Sequence, residues 1–175
     1  MSYKGSASTE LSKLDTTSEH AKARKTRHML EAFHGHPDPK AVETSWPYLS
    51  SEDYHLRYAA RIAIEWQDPK TWADKAYSEK DDLAAIHALL GLARRDAEGS
   101  LAPSVKRLLK VNYDKLDKMG QLALLRTYGV IMSRGGKPEA GQVKAIGDQL
   151  DPHFPAKDDN LNEELCRVLC YLQHP

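Results

Sequence analysis

Four stretches of this chain, residues 57–66, 83–95, 121–133 and 161–172, are apolar almost all the way round a helix, and each follows a weaker segment with one apolar face. A helix that is apolar on most of its circumference has to be covered on several sides, whereas a one-faced helix needs a single neighbour. Regular alternation of the two kinds is how a row of stacked helical hairpins reads, one layer buried and the other half-exposed. No stretch alternates with a two-residue period for long enough to build a sheet, although residues 3–9 could form one extended segment. The expected fold is therefore all-α: a right-handed α-solenoid of about four hairpins after an N-terminal helix, over residues 18–175. Residues 1–17, rich in Ser, Thr, Lys and Gly, form an irregular lead-in or linker.

Punctuation supports this reading. Thr16 and Glu19 have capping-box spacing, so a helix is expected from about there to His34, closed by Gly35 and Pro37. It is basic, with Lys22, Arg24, Lys25, Arg27 and His28, which reads as a solvated face more readily than as a phosphate contact. Asp38-Pro39 and Asp68-Pro69 each open a hairpin, because Asp accepts from free amides and Pro tolerates the first helical position. Pro47 must kink or end the first outer helix. Asp81 and Asp82 open the second inner helix, Gly99-Ser100 is expected to turn the chain, and residues 134–138 form a stop followed by a start. Asp159 or Asn160 is expected to cap the last helix, and Trp46, Trp66 and Trp72 are expected to anchor the core. That last helix lacks a polar outer face, so the chain end reads as a docking edge or a cut in a longer chain.

Lys and Arg together number 25, as do Asp and Glu, so there is no global basic excess of the kind a nucleic-acid binder carries. No apolar run is long enough to span a bilayer, and the first residues lack the hydrophobic region of a signal peptide. Cys166 and Cys170 share one helical face and are expected to be buried thiols rather than a disulfide. His174 extends their spacing to a Cys-x3-Cys-x3-His row, which is poorer than the tight turns that structural zinc sites use. His34-Gly35-His36 is read as exposed punctuation of a helix end rather than as a metal site.

The candidate site is a polar stripe on the inner helices: Arg57, Arg61, His87, Arg126 and Arg167. Such a stripe offers an anion or acidic partner a surface. The competing account is structural, with these arginines paired to Glu65, Glu163 and Glu164 or bonded to turn carbonyls. Arg57 and Arg61 sit on a nearly all-apolar helix, where an unpaired charge is costly, so at least one is expected to bond to an adjacent loop. No nucleophile elbow, phosphate loop or zinc-protease motif is present, and nothing in the sequence brings Ser, His and Asp together.

Several sequence words carry a family resemblance. Leu30-Glu31-Ala32-Phe33-His34-Gly35, Asp38-Pro39-Lys40-Ala41-Val42-Glu43-Thr44, Trp46-Pro47-Tyr48-Leu49 and Arg57-Tyr58-Ala59-Ala60-Arg61-Ile62-Ala63 form one block. Leu124-Leu125-Arg126-Thr127-Tyr128, Leu150-Asp151-Pro152-His153-Phe154-Pro155-Ala156-Lys157 and Leu161-Asn162-Glu163-Glu164-Leu165-Cys166 follow in order. The alternating helices resemble HEAT repeats. Together the words resemble the HEAT-like segment of large bacterial exported proteins of the haem-binding, membrane-bound dehydrogenase type. There the segment lies between a propeller similar to sorbosone or glucose dehydrogenases and a cytochrome c-like domain with a Cys-x-x-Cys-His motif.

This chain has no Cys-x-x-Cys-His, so no covalent haem site lies within it, and no catalytic or cofactor residue of the family maps onto it. The resemblance implies a non-catalytic module, with haem c in a neighbouring domain. Its partners would be the neighbouring propeller and cytochrome c-like domains rather than nucleic acid or a membrane span, in a periplasmic or otherwise exported setting. The alternatives are a HEAT-like enzyme that acts on nucleic acid or pigment through a concave face, and a free-standing interaction module.

Overall fold

The computed structural model describes residues 16–173 together with Gly5, and among them it is all-helical, with no strand. The notion of an extended segment at residues 3–9 and the ligand role considered for His174 fall outside the described residues. Nine α-helices follow one another: α1 (Glu19–Glu31), α2 (Ala41–Ser45), α3 (Tyr54–Glu65), α4 (Ala73–Ser78), α5 (Asp82–Arg95), α6 (Ala97–Leu108), α7 (Lys118–Gly135), α8 (Ala140–Leu150) and α9 (Asp159–Leu172). Short 3-10 turns at Trp46–Tyr48, Pro69–Thr71, Tyr113–Lys115 and Asp151–His153 join some of them.

The odd-numbered helices form a row in which α1 packs on α3, α3 on α5, α5 on α7 and α7 on α9. Each even-numbered helix lies against the odd one that follows it, and α6 touches both α4 and α8. The inner row is where the apolar residues are densest. Ala84 to Ala93 of α5 are buried without a break, and Leu89, Leu92, Leu124, Leu125, Tyr128 and Ile131 are fully enclosed between α5 and its neighbours.

The helix starts follow from local chemistry. The Asp53, Asp81, Asp117 and Asp158 carboxylates each accept a backbone N–H of the helix they precede, satisfying donors that have no intrahelical partner. Ser18 does the same for α1, two residues later than the capping-box spacing suggests. Pro47 ends α2 by diverting it into a 3-10 turn, as expected.

Several expectations need correction. The last helix is capped by Asp158 rather than by Asp159 or Asn160. Gly99-Ser100 does not turn the chain but lies inside α6. The Asp96 side chain accepts from Gly99 N at 3.3 Å and the Ser100 hydroxyl donates to the Asp96 carbonyl, so the helix begins at Ala97 with those two residues in its first turn. Trp46 and Trp72 are buried anchors, but Trp66 is 43% exposed, standing at the C-cap of α3 beyond the packed turns. Cys166 and Cys170 are exposed, with sulfurs 3.8 Å apart. Helix α9 ends the described row, so Leu165, Val168, Leu169 and Leu172 take its one covered face and the thiols stand off it.

Side chains reaching between hairpins lock the row. The Arg107 guanidinium, buried, donates from Nε to the Glu79 carbonyl at 2.8 Å and from Nη2 to Asp82 at 2.9 Å. Gln149 donates to the carbonyls of Leu108 and Val111 and accepts from the Tyr128 hydroxyl at 2.7 Å. The α6–α7 crossing is tight enough that a Cβ placed on Gly135 would stand 2.6 Å from the Ala97 carbonyl oxygen.

Candidate anion-binding trough

Residues three and four apart on a helix share a face, and the inner row uses that spacing on three successive helices. On α3 the series is Tyr54, Arg57, Tyr58 and Arg61; on α5 it is His87 and Leu90; on α7 it is Met119, Leu122, Ala123 and Arg126. These stripes line one pocket of about 260 Å³. Gly91 helps to close α3 onto α5, because a Cβ there would lie 3.2 Å from Glu65 Cγ and 3.6 Å from Arg61 Cγ.

The cations of the trough are held to different degrees. Arg57 is buried and anchored: its Nη1 donates to the carbonyls of Ser51 at 2.5 Å and Glu52 at 3.0 Å, the loop bond expected for a charge on an apolar helix. Its Nε is buried without a partner among the described residues. Arg61, also buried, uses Nη1 on the Glu65 carboxylate, whose other oxygen accepts from Arg94 Nε at 3.0 Å. The two guanidiniums lie over tyrosine rings of their own helix, Arg57 at 5.9 Å from the Tyr54 centroid and Arg61 at 5.1 Å from that of Tyr58. Arg126 is exposed at the edge and makes no hydrogen bond or ion pair among the described residues.

His87 is the least satisfied group in the trough. Its side chain is only 9% exposed, and neither ring nitrogen has a hydrogen-bond partner among the described residues. Burial, reinforced by the positive charges of Arg57 and Arg61, lowers its pKa from 6.5 to about 4, so the ring is neutral at pH 7. A neutral imidazole still carries one N–H and one lone pair, and a buried polar group left unbonded is costly.

The sequence singled out five residues, and the fold brings four of them together. Arg57, Arg61, His87 and Arg126 line the trough. Arg167 does not: it lies on α9, bonded to Glu163 at 2.5 Å and Glu164 at 2.7 Å, as the structural account expected for it. Sequence reasoning missed Tyr54 and Met119, which belong to the same stripes by i, i+4 spacing. It also missed Arg107, whose role depends on a preceding hairpin that periodicity does not reveal.

No carboxylate, thiol or aliphatic hydroxyl lines the trough. It offers hydrogen-bond donors and positive charge above apolar walls. Among the described residues no three His, Cys, Asp or Glu side chains gather as a metal would require. The imidazoles of the helix-ending turn are engaged locally: His34 Nε2 lies 2.8 Å from the Ala59 carbonyl and His36 Nε2 3.1 Å from that of Ala32. His34 is thus half-buried and tied to α3 rather than exposed punctuation. No helix among the described residues is long and apolar enough to cross a membrane. Comparison with protein-family models, curated proteins and solved structures gives no match for this chain.

Proposed function

We propose that the chain is a non-catalytic, HEAT-like solenoid module that holds neighbouring domains at a fixed distance and angle and docks an acidic partner in the trough of its inner row. The order of packing supports the solenoid reading, since each inner helix leans on the inner helices before and after it and each outer helix on its own hairpin partner. One observation carries the docking role: three guanidiniums and an unsatisfied imidazole converge on one pocket that no carboxylate lines. The partners implied by the resemblance are the propeller and cytochrome c-like domains of an exported dehydrogenase-type protein, with haem c in the second of them.

A nucleic-acid enzyme is the less economical reading. A protein tracking a duplex typically neutralises about 6–10 phosphates. This trough presents three guanidiniums, of which two are tied to loop carbonyls or a carboxylate.

The test is association between this chain and the domains encoded beside it, measured by biolayer interferometry at low and high salt. Binding that weakens with salt, and about tenfold with Arg126→Glu, is the expected result for a rim charge facing an acidic surface. Flanking coding sequence without a propeller or a Cys-x-x-Cys-His motif would refute the redox setting, and unchanged affinity in the variant would refute the docking face.

A further inference from the structure

We propose that the pocket between α3, α5 and α7 is a carboxylate site, taking one Asp or Glu side chain, or one chain-terminal carboxylate, of a peptide, with Arg61 and Arg126 as its donors. The inference rests on the reading of the trough as an anion-facing surface and names the ligand.

The engagement of the guanidiniums argues for a monoanion. Arg57 gives one nitrogen to the Ser51 and Glu52 carbonyls, and Arg61 gives one nitrogen to Glu65. Arg126 is wholly unengaged among the described residues, with all five of its N–H groups free. Those groups match the two oxygens of a carboxylate, which guanidinium forks bind bidentately. A phosphate brings a second charge, whereas Arg126 is the one lining guanidinium not already bonded to a carbonyl or a carboxylate among the described residues. Size agrees. About 260 Å³ lies below the roughly 300–1,000 Å³ of pockets for drug-sized ligands, so a single side chain suits it. The walls agree too: Leu90 and Leu122 can cover the methylenes behind an acid, and the Tyr58 ring already stacks with Arg61.

His87 is the independent pointer to a ligand. It belongs to the pocket wall, is nine-tenths buried, and holds both ring nitrogens unpaired and closed to solvent. A carboxylate held by the guanidiniums would offset the field of Arg57 and Arg61 that bears on this ring from α3. No carboxylate among the lining residues does this in the free protein.

The experiment follows the His87 ring signals by NMR, on the whole chain at neutral pH, during titration with short peptides. One peptide, blocked at both ends, has a central Glu; a second has Gln in that place. A third, without acidic side chains, has a free C-terminal carboxylate, and its control is amidated; the fifth probe is inorganic phosphate. The expected result is saturable binding that moves the His87 signals for at least one of the carboxylate peptides. Its uncharged control and phosphate should each be at least about tenfold weaker. Which carboxylate peptide binds tells a side-chain acid from a chain end.

Arg126→Ala should weaken binding about tenfold and Arg126→Lys less, with an unchanged melting temperature because Arg126 is exposed and unpartnered. Equal binding of the uncharged controls, phosphate binding as tight as the carboxylates, or no response at His87 would each overturn the proposal. Loss of domain association with carboxylate binding intact would refute the docking role alone. Domain association without carboxylate binding would overturn this inference alone.

Discussion

His87→Leu is the substitution with the sharpest predicted consequence. The buried imidazole has two unpaired nitrogens in apolar and cationic surroundings. Leaving a buried donor unsatisfied costs about 1–3 kcal/mol, and Leu is of similar volume and a better helix former. The variant is therefore expected to be more stable than the parent by about 1 kcal/mol or more at pH 7.5. The difference should grow in acid. The folded pKa of His87, about 4, lies below the unfolded value of 6.5, so the unfolded chain binds this proton more readily than the native one does.

Stability linked to His87 is thus fully present above about pH 6.5, drains away as the pH falls, and is gone near pH 4. Between pH 7.5 and 5 the loss works out at about 2 kcal/mol from the two pKa values. Urea unfolding followed by far-UV circular dichroism at those two pH values measures it for both proteins. Every other group titrates in both, so the gap between them isolates the ring. It should widen from about 1 to about 3 kcal/mol on acidification. A gap that stays constant would show that the native ring takes up its proton freely, and the description of a desolvated, cation-flanked imidazole would be wrong.

Three further substitutions test the packing. Arg107→Ala removes the clamp from α6 to Glu79 and Asp82 and is expected to cost about 3 kcal/mol in urea unfolding, and a loss under about 1 would deny it any structural role. Gly135→Ala forces a methyl to 2.6 Å from the Ala97 carbonyl oxygen, so a loss of about 1–3 kcal/mol is expected, whereas a neutral or stabilising outcome would mean that α6 and α7 separate easily. Leu89→Ala empties a fully buried site in α5 and should cost about 2–5 kcal/mol, and a loss below about half a kcal/mol would contradict its place in the inner row.

How much of this was legible in the sequence depends on how far apart the interacting residues stand. The helix start at Asp81 is read from local chemistry, because an Asp cap and the amide it accepts from lie three residues apart. The trough was half legible. Periodicity puts Arg57 and Arg61 on one stripe, but only packing shows that His87 and Arg126, from two other helices, face the same space. The failures are of the same kind. Cys166 and Cys170 sit in an apolar run, yet a helix with neighbours on one side buries one stripe and leaves the other out. Gly99-Ser100 has the composition of a turn, but Asp96 supplies a cap that makes it a first helical turn. Arg107 carries no sequence signal at all, since its acceptors lie 25 and 28 residues away.

The contrast between Arg107 and His87 separates structure from function in this fold. Both are buried polar side chains, and both would be costly if left alone. Arg107 is met by a carbonyl and a carboxylate across a hairpin boundary, so its Nε and Nη2 are paired by groups that the fold itself provides and Nη1 alone is left without a partner among the described residues. His87 is met by nothing, although the helix that carries it is otherwise built from Ala, Leu, Ile and Gly at its buried positions. A row of helices selected for packing alone would have an aliphatic residue there and gain stability. Local choices that weaken a fold without a compensating contact are expected where a protein meets something else. The unsatisfied imidazole belongs to the wall of the same pocket as the one lining guanidinium with no partner among the described residues, Arg126, and that coincidence is what a purely structural account of the trough leaves without a cause.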